Sequence, residues 1–329
     1  MKRRPHRDAP RRTGRPDRSR PSGAPPQSSR PPAASRAPAS EAAHDEDANG
    51  RSGTRRGQHA DEQKYHGRHA CRALFEERPD DIIRVYVARE RMKEFSELLK
   101  WCAARRRAYH IVEGENLERL AETVHHQGII VLAKKPRSAG EADFARRLAG
   151  GELAGPVLLL DGVQNPHNLG SILRTSANFG VRAVLGRVEE LPSVTASAAR
   201  VAEGGAERVP VLRLRDPREA LNALKAAGHR VCVATNHPGG NVYEAALPAN
   251  CVIVLGNEVS GVSPAIAALA DASLQIPGSG AVESLNVAVA CGILLSEIVR
   301  RHGLKPPPGA LRPPAEPDRP SRGKSRRAR

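Results

Sequence analysis

The chain has 329 residues, room for two ordinary domains, with a formal net charge of +16 and an aromatic content of 3%. Its five cysteines are scattered without a CxxC pair, its twelve histidines show no ligand spacing, and no apolar run approaches the roughly 18 residues of a membrane span. A membrane protein, a disulfide scaffold and a metal site are thereby set aside. The expectation is a cytoplasmic protein whose thiols stay reduced and pack as small hydrophobes.

The charge is unevenly placed. Residues 1–60 hold 14 Lys and Arg, 6 Asp and Glu and 9 Pro, with almost no branched aliphatic side chains. Such a stretch buries too little apolar surface to offset its ordering entropy, so 1–62 reads as a disordered basic tail. Residues 304–329 repeat the pattern with 8 basic and 2 acidic residues. Nearly all the net positive charge therefore sits in two arms. Arms of this kind attract the backbone of a polyanion without reading its sequence. The plainer alternative is a pair of solubilising tails; without Trp, Phe or Leu to insert, they do not suit lipid.

Residues 63–136 read as a small α/β layer, with strands at 82–88, 108–112 and 128–134 and helices at 94–106 and 115–124. It is mildly positive, with 15 basic against 11 acidic residues. Residues 137–154, polar and glycine-containing, read as a linker with room for a helical turn. From 155 to 303 a second α/β unit follows. Strands are expected near 157–160, 182–185, 209–214, 230–235, 251–255 and 273–276. Helices are expected near 169–179, 194–203, 217–227, 263–270 and 284–301. Near-continuous apolar runs such as "CVIVL" predict a mostly parallel sheet covered on both faces.

Three polar loops follow strands of this second unit, and in parallel sheets ligands collect at such ends. The first, "DGVQNPHNLGSILRTSANFG" (161–180), leads into a helix with Asn168 as its expected N-cap. Leu169, Ile172, Leu173 and Ser176 form the buried stripe. Arg174 lies opposite, with Gly170, Ser171 and Asn178, and is expected to lean back over Gly170 toward the N-terminal N–H groups, which favour an anion. In the second loop, "VLGNEVSG", Val262 stands where a Walker lysine belongs, which disfavours a nucleoside triphosphate. In the third, "IPGSGAVESLN", Glu283 ends an imperfect GxGxxG and no acidic partner strand is evident, which rejects NAD. The apolar helix that follows calls for cover all round, by the domain or by a second subunit, with Ala288, Gly292 and Ser296 as a small-residue strip. Nothing here offers a Ser-His-Asp set or paired carboxylates. Asn168, Arg174, Glu258, Ser284 and Asn286 amid glycines suit positioning and charge stabilisation.

The segments "NPHNLGSILRTSANFG", "VLGNEVSG" and "IPGSGAVESLNVAVACGILL" resemble, in order, the signature motifs of the SpoU/TrmH family of RNA ribose 2′-O-methyltransferases in the SPOUT superfamily. The resemblance covers about 155–302. It extends to 64–134, where "YHGRHACRALFEERPDDI" and "HHQGIIVLAKK" look like the family's L30e-like substrate-binding module. It implies a C-terminal SPOUT-type α/β domain with a trefoil knot, bound S-adenosylmethionine, an RNA partner (ribosomal or transfer) and a homodimer. By position, Arg174, Asn168, Glu258, Ser284 and Asn286 take the catalytic places. Leu255, Gly256, Ile276 and Leu285 take the cofactor places, the glycines letting the cofactor press on main chain. Two departures concern substrate fit. Gly278 replaces a methionine common after "IP", and "EGGAE" (203–207) stands where members show a serine followed by "GA". The reading implied is methyl transfer to a ribose 2′-hydroxyl of structured RNA. The alternative is a non-catalytic RNA-binding or ribosome-assembly factor on the same fold.

Overall fold

A computed structural model describes residues 61–236 and 239–303. Apart from residues 61 and 62, the basic arms expected at 1–62 and 304–329 lie outside the described residues.

The first unit is a mixed four-stranded sheet in the order β1-β4-β2-β3. Its strands are β1 (Glu62–His66), β2 (Ile82–Ala88), β3 (Ala108–Val112) and β4 (Ile129–Lys134). β2 pairs parallel with β3, while β4 runs antiparallel to β1 and β2. Strand side chains alternate between faces. Val85, Val87, Ile129 and Val131 therefore share a core with α1 (Arg68–Glu77) and α2 (Ser96–Ala104), whereas Ala88 and Ile130 meet Leu117 of α3 (Gly114–Ala121) on the other face.

The second unit is a seven-stranded sheet in the order β7-β6-β5-β10-β8-β11-β9, and its pairings are parallel throughout. The strands are β5 (Val157–Asp161), β6 (Val184–Arg187), β7 (Val211–Leu214), β8 (Arg230–Thr235), β9 (Gly240–Asn241), β10 (Cys251–Gly256) and β11 (Ala272–Gln275). Alternation again assigns the faces. Leu158, Leu160, Ile253 and Leu255 join one core with α5 (Pro166–Asn178) and α10 (Val287–His302). Val157, Leu159, Val252 and Val254 join the other with α4 (Glu141–Ala149), α8 (Pro217–Ala226) and α9 (Pro264–Ala267). Two helices cover the remaining turn, α6 (Ala196–Ala202) and the short α7 (Gly205–Arg208).

Two expectations need correction. The stretch read as a linker contains the nine-residue helix α4, whose Phe144 is buried in the larger core, and Ala139 bridges to Leu212. Its polar residues mask an amphipathic helix that contributes one large side chain. The apolar helix begins at Val287 and not at Ser284, because Asn286 caps it by accepting the Ala288 N–H at 2.9 Å. Of the two alternatives for its cover, the domain leaves part of the helix open among the described residues. Cys291, Leu294, Leu295 and Ile298 are buried, but Val289 is half exposed, and Gly292, Ile293 and Ser296 line an open groove with Tyr243.

The two units meet along α1, α6 and α7. Arg78 Nε lies 2.6 Å from Glu207 Oε2 of α7 and Arg78 Nη2 donates to the Tyr65 hydroxyl at 3.1 Å. Ala199 of α6 is buried in the smaller unit's core. All five cysteines are free and buried, and burial pushes the Cys251 and Cys291 thiols up to about 12. No helix of the described residues is long and apolar enough to cross a membrane.

Candidate active site

Because β5, β10 and β11 run the same way, the loops that follow them leave the same edge of the sheet. The first loop corrects the capping expectation. Asn165, not Asn168, caps α5 by accepting the His167 N–H at 2.8 Å, with Pro166 in the first helical turn, where a missing N–H costs nothing. Asn168 thus sits one turn inside the helix, only 8% exposed, with its carboxamide free for other work.

That carboxamide joins the three loops. Asn168 Nδ2 donates to Glu258 Oε1 at 2.5 Å, and Asn168 Oδ1 accepts from Asn286 Nδ2 at 3.2 Å. A buried amide satisfied on both ends fixes the direction of both partners.

The loop bearing Glu258 is braced by its neighbour. Asn257 Nδ2 donates to the Gly162 carbonyl at 2.8 Å, while Asn257 Oδ1 accepts the N–H of Val259 at 2.9 Å and of Ser260 at 3.1 Å. Asp161 accepts the Ser263 N–H at 2.6 Å. The loop then turns back on itself. A Cβ on Gly256 would lie 2.3 Å from the Gly261 carbonyl carbon and 2.4 Å from the Val262 nitrogen. The absence of a side chain at Gly256 therefore makes room for the protein's own loop. Gly278 and Gly280, by contrast, border open space.

Arg174 lies elsewhere. It is six residues beyond Asn168, roughly 9 Å along the axis of α5. The expected lean over Gly170 is blocked, because α6 covers that glycine: a Cβ there would be 2.6 Å from the Ala198 carbonyl oxygen. Arg174 instead pairs with Glu203 at 3.0 Å, in a cleft lined also by Asn178, Phe179, Gly205 and Arg208. The structure therefore brings together Asn168, Glu258 and Asn286, and leaves Arg174 and the exposed Ser284 outside their hydrogen bonds. Of the residues assigned to the cofactor, Leu255 is buried and offers only main chain. Ile276 is half-buried just past β11, and Leu285 is 46% exposed. No group of three or more His, Cys, Asp or Glu among the described residues is placed to hold a metal.

Sequence reasoning missed Asn165, Asn257 and Arg208. The first two carry a readable signal: Asn before Pro at a strand-to-helix junction favours a cap, and Asn in a strand-following loop favours a turn closed by its own side chain.

Residues 155–296 match the model of the SpoU rRNA Methylase family, and residues 66–139 match the model for RNA 2′-O ribose methyltransferase substrate binding. A protein named as an uncharacterized tRNA/rRNA methyltransferase, YfiF of Escherichia coli O157:H7, is 36% identical over 248 residues, covering 75% of this chain and 70% of that protein. The chain belongs to the SpoU rRNA methylase family. The 23S rRNA (guanosine-2′-O-)-methyltransferase RlmB of Vibrio vulnificus is 34% identical over 238 residues, 72% of this chain and 96% of that one. An AdoMet-bound rRNA methyltransferase from Sinorhizobium meliloti superimposes with a TM-score of 0.60 at 20% identity, over 75% of this chain and 90% of that structure, which shows a shared fold. All three polar loops fall within the SpoU-matched segment, and β2, β3 and β4 fall within the substrate-binding one.

Proposed function

We propose that this SpoU-family chain transfers a methyl group from S-adenosylmethionine to a ribose 2′-hydroxyl of structured RNA, ribosomal or transfer. The observation that carries the reading is the double hydrogen bond of Asn168, which fastens Glu258 and Asn286 from two other loops into one polar cluster at the strand ends.

The residues around that cluster fit the cofactor. Val259 is 96% exposed beside Glu258, and Leu285 is 46% exposed beside Asn286. Val259 and Leu285 would give an adenosine moiety its apolar contacts, and the open backbone at Gly278 and Gly280 would admit its close approach. Leu255 and Gly256 contribute main-chain groups, and Ile276 and Leu285 contribute apolar contact. Bound there, the cofactor brings an electrophilic methyl on a cationic sulfur. Glu258, its carboxylate aimed by Asn168, offers that cation a negative charge.

The rest is positioning. Holding the ribose oxygen in line with the methyl is worth roughly 7–11 kcal/mol. Arg174, which pairs with Glu203 at 3.0 Å in the neighbouring cleft, grips an adjoining phosphate and, on leaving Glu203 for the bound strand, stabilises the negative charge that grows on this oxygen. A guanidinium stays protonated in proteins, so it serves as a charge partner and not as the base, and the proton leaving the hydroxyl passes to solvent water as the O–CH3 bond forms and the S–CH3 bond breaks. Ser284 and Asn286 order the third loop. The small domain docks the RNA, and the same reading carries the knotted chain path and the homodimer. A second copy covers the open face of α10 formed by Val289, Gly292, Ile293 and Ser296 with Tyr243; a monomer in sedimentation at micromolar concentration contradicts that part.

Calorimetry with S-adenosylmethionine, followed by transfer of a labelled methyl group to unmodified 23S rRNA and tRNA transcripts, tests the whole. Cofactor uptake with incorporation into either RNA supports it, and absence of uptake by the folded protein removes it.

A further inference from the structure

Two arginines open onto the cleft between α5 and the α6–α7 turn, and each already holds a carboxylate. Arg174 Nη2 lies 3.0 Å from Glu203 Oε2, and Arg208 Nη2 lies 2.7 Å from Glu76 Oε2 of α1. Glu203 ends α6 in the left-handed region, at φ 46 and ψ 45, a conformation that costs a residue with a Cβ. Two glycines follow: Gly204 packs this turn against Ala73 and His69 of α1, and Gly205 packs it against α5. A Cβ on Gly205 would lie 2.5 Å from the Leu173 carbonyl oxygen and 3.0 Å from Arg174 Cα. Main-chain packing thus holds the backbone of this turn beside Arg174.

The pair itself is open to competition. Its side chains are 58% and 38% exposed, so water, salt and other anions reach it. While Glu203 is in place, the guanidinium presents no net positive charge to the cleft. A phosphodiester carries the same charge as Glu203 and offers two oxygens that match the guanidinium fork. Asn178 and Arg208 line the same cleft, adding an amide donor and a second guanidinium.

We propose that Glu203 is a displaceable counter-ion, which occupies the phosphate-binding cleft of Arg174 until the RNA strand arrives. The proposal rests on the RNA-directed reading above but concerns capture, not methyl transfer. Glu203 acts through Arg174 and is a positioning residue. Once displaced, its carboxylate recruits a cation from solution. This uptake partly cancels the counterions released from the RNA and flattens the salt dependence of binding.

The test uses the full chain and an unmodified 23S rRNA transcript, with binding measured across a salt series. Glu203→Gln is expected to bind roughly threefold to tenfold more tightly and to steepen the log–log salt slope by up to about 0.9. Glu203→Asp, which keeps the charge, retains the wild-type slope. In an Arg174→Ala background Glu203→Gln changes neither quantity. If Glu203→Gln lowers the melting temperature, Glu203→Asn, which tolerates left-handed backbone, repeats the measurement. Equal or weaker binding by the neutral variants, an unchanged slope, or a gain that persists without Arg174 overturns the proposal. Absence of methyl transfer by the wild-type protein defeats the functional reading instead, and leaves these binding results interpretable.

Discussion

Asn168 donates its side-chain amide to Glu258 at 2.5 Å across 90 residues of chain, from a helix whose cap is a different asparagine. Because Asn165 does the capping, the Asn168 carboxamide is left to organise the loops. Asn168→Ala is expected to cut turnover by about 100-fold with a small change in melting temperature, since the loss is one of orientation. Asn168→Asp places two carboxylates together, and like charges at that separation oppose joint ionisation. It should melt lower at pH 8 than at pH 5. Turnover near wild type for Asn168→Ala would contradict the role.

Gly256→Ala tests why that glycine is there. The new methyl would meet the backbone of Gly261 and Val262 at under 2.5 Å. Backbone cannot swing aside as a side chain can, so the loop bearing Glu258 must move. A stability loss of about 1–3 kcal/mol is expected from overpacking of this kind, together with weakened cofactor uptake in calorimetry. Unchanged melting would show that the loop is not anchored through this contact.

The joint between the two units rests on Arg78. The side chain of its partner Glu207 is largely shielded and Tyr65 is buried, and burial before any other cause pushes the Tyr65 hydroxyl up to about 12. Arg78→Ala leaves the Glu207 carboxylate uncompensated in a site where it is 6% exposed. Breaking a buried pair this way costs about 3–5 kcal/mol. Thermal unfolding should shift down and split, the small unit melting first; a single unshifted transition would refute the coupling.

Much of this architecture is written locally. The apolar runs at β5 and β10 announce a doubly covered parallel sheet because strands buried on both faces need no polar alternation. β1 is less legible, since "EQKYH" buries only Tyr65 and His66. The members of the polar cluster can be named from the sequence, yet the bonds joining Asn168 to Glu258 and Asn286 span 90 and 118 residues, and no periodicity encodes them. Arg174 shows the converse. Helical geometry alone sends it toward Gly170, and only the packing of α6 onto that glycine turns it to Glu203.

Glu297 gives the pH dependence a definite sign. It is buried within α10 and accepts from Arg300 at 2.7 Å and from Arg301 at 2.6 Å. Those hydrogen bonds, Arg300's first, hold its carboxyl well below its usual 4.5, at about 2. The unfolded chain takes up the proton first, so the stabilisation is complete above pH 4.5 and fades as pH falls toward 2. The effect is modest, because Arg300 is largely exposed to solvent. Melting temperature against pH should show an acid limb in that window, flattened in Glu297→Gln. An identical limb in the variant would assign the loss to other carboxylates.

The most direct test of the central claim is site-by-site mapping of ribose methylation in an unmodified 23S rRNA transcript, after incubation with S-adenosylmethionine and either wild-type protein or Arg174→Lys. The account predicts a 2′-O-methyl group at a discrete nucleotide with the wild type. It predicts a loss of about 10²–10³ in rate with Arg174→Lys at unchanged cofactor affinity, since a forked charge partner is gone. Methylation by Arg174→Lys at the wild-type rate, or methyl groups found on bases and not on ribose, would contradict it.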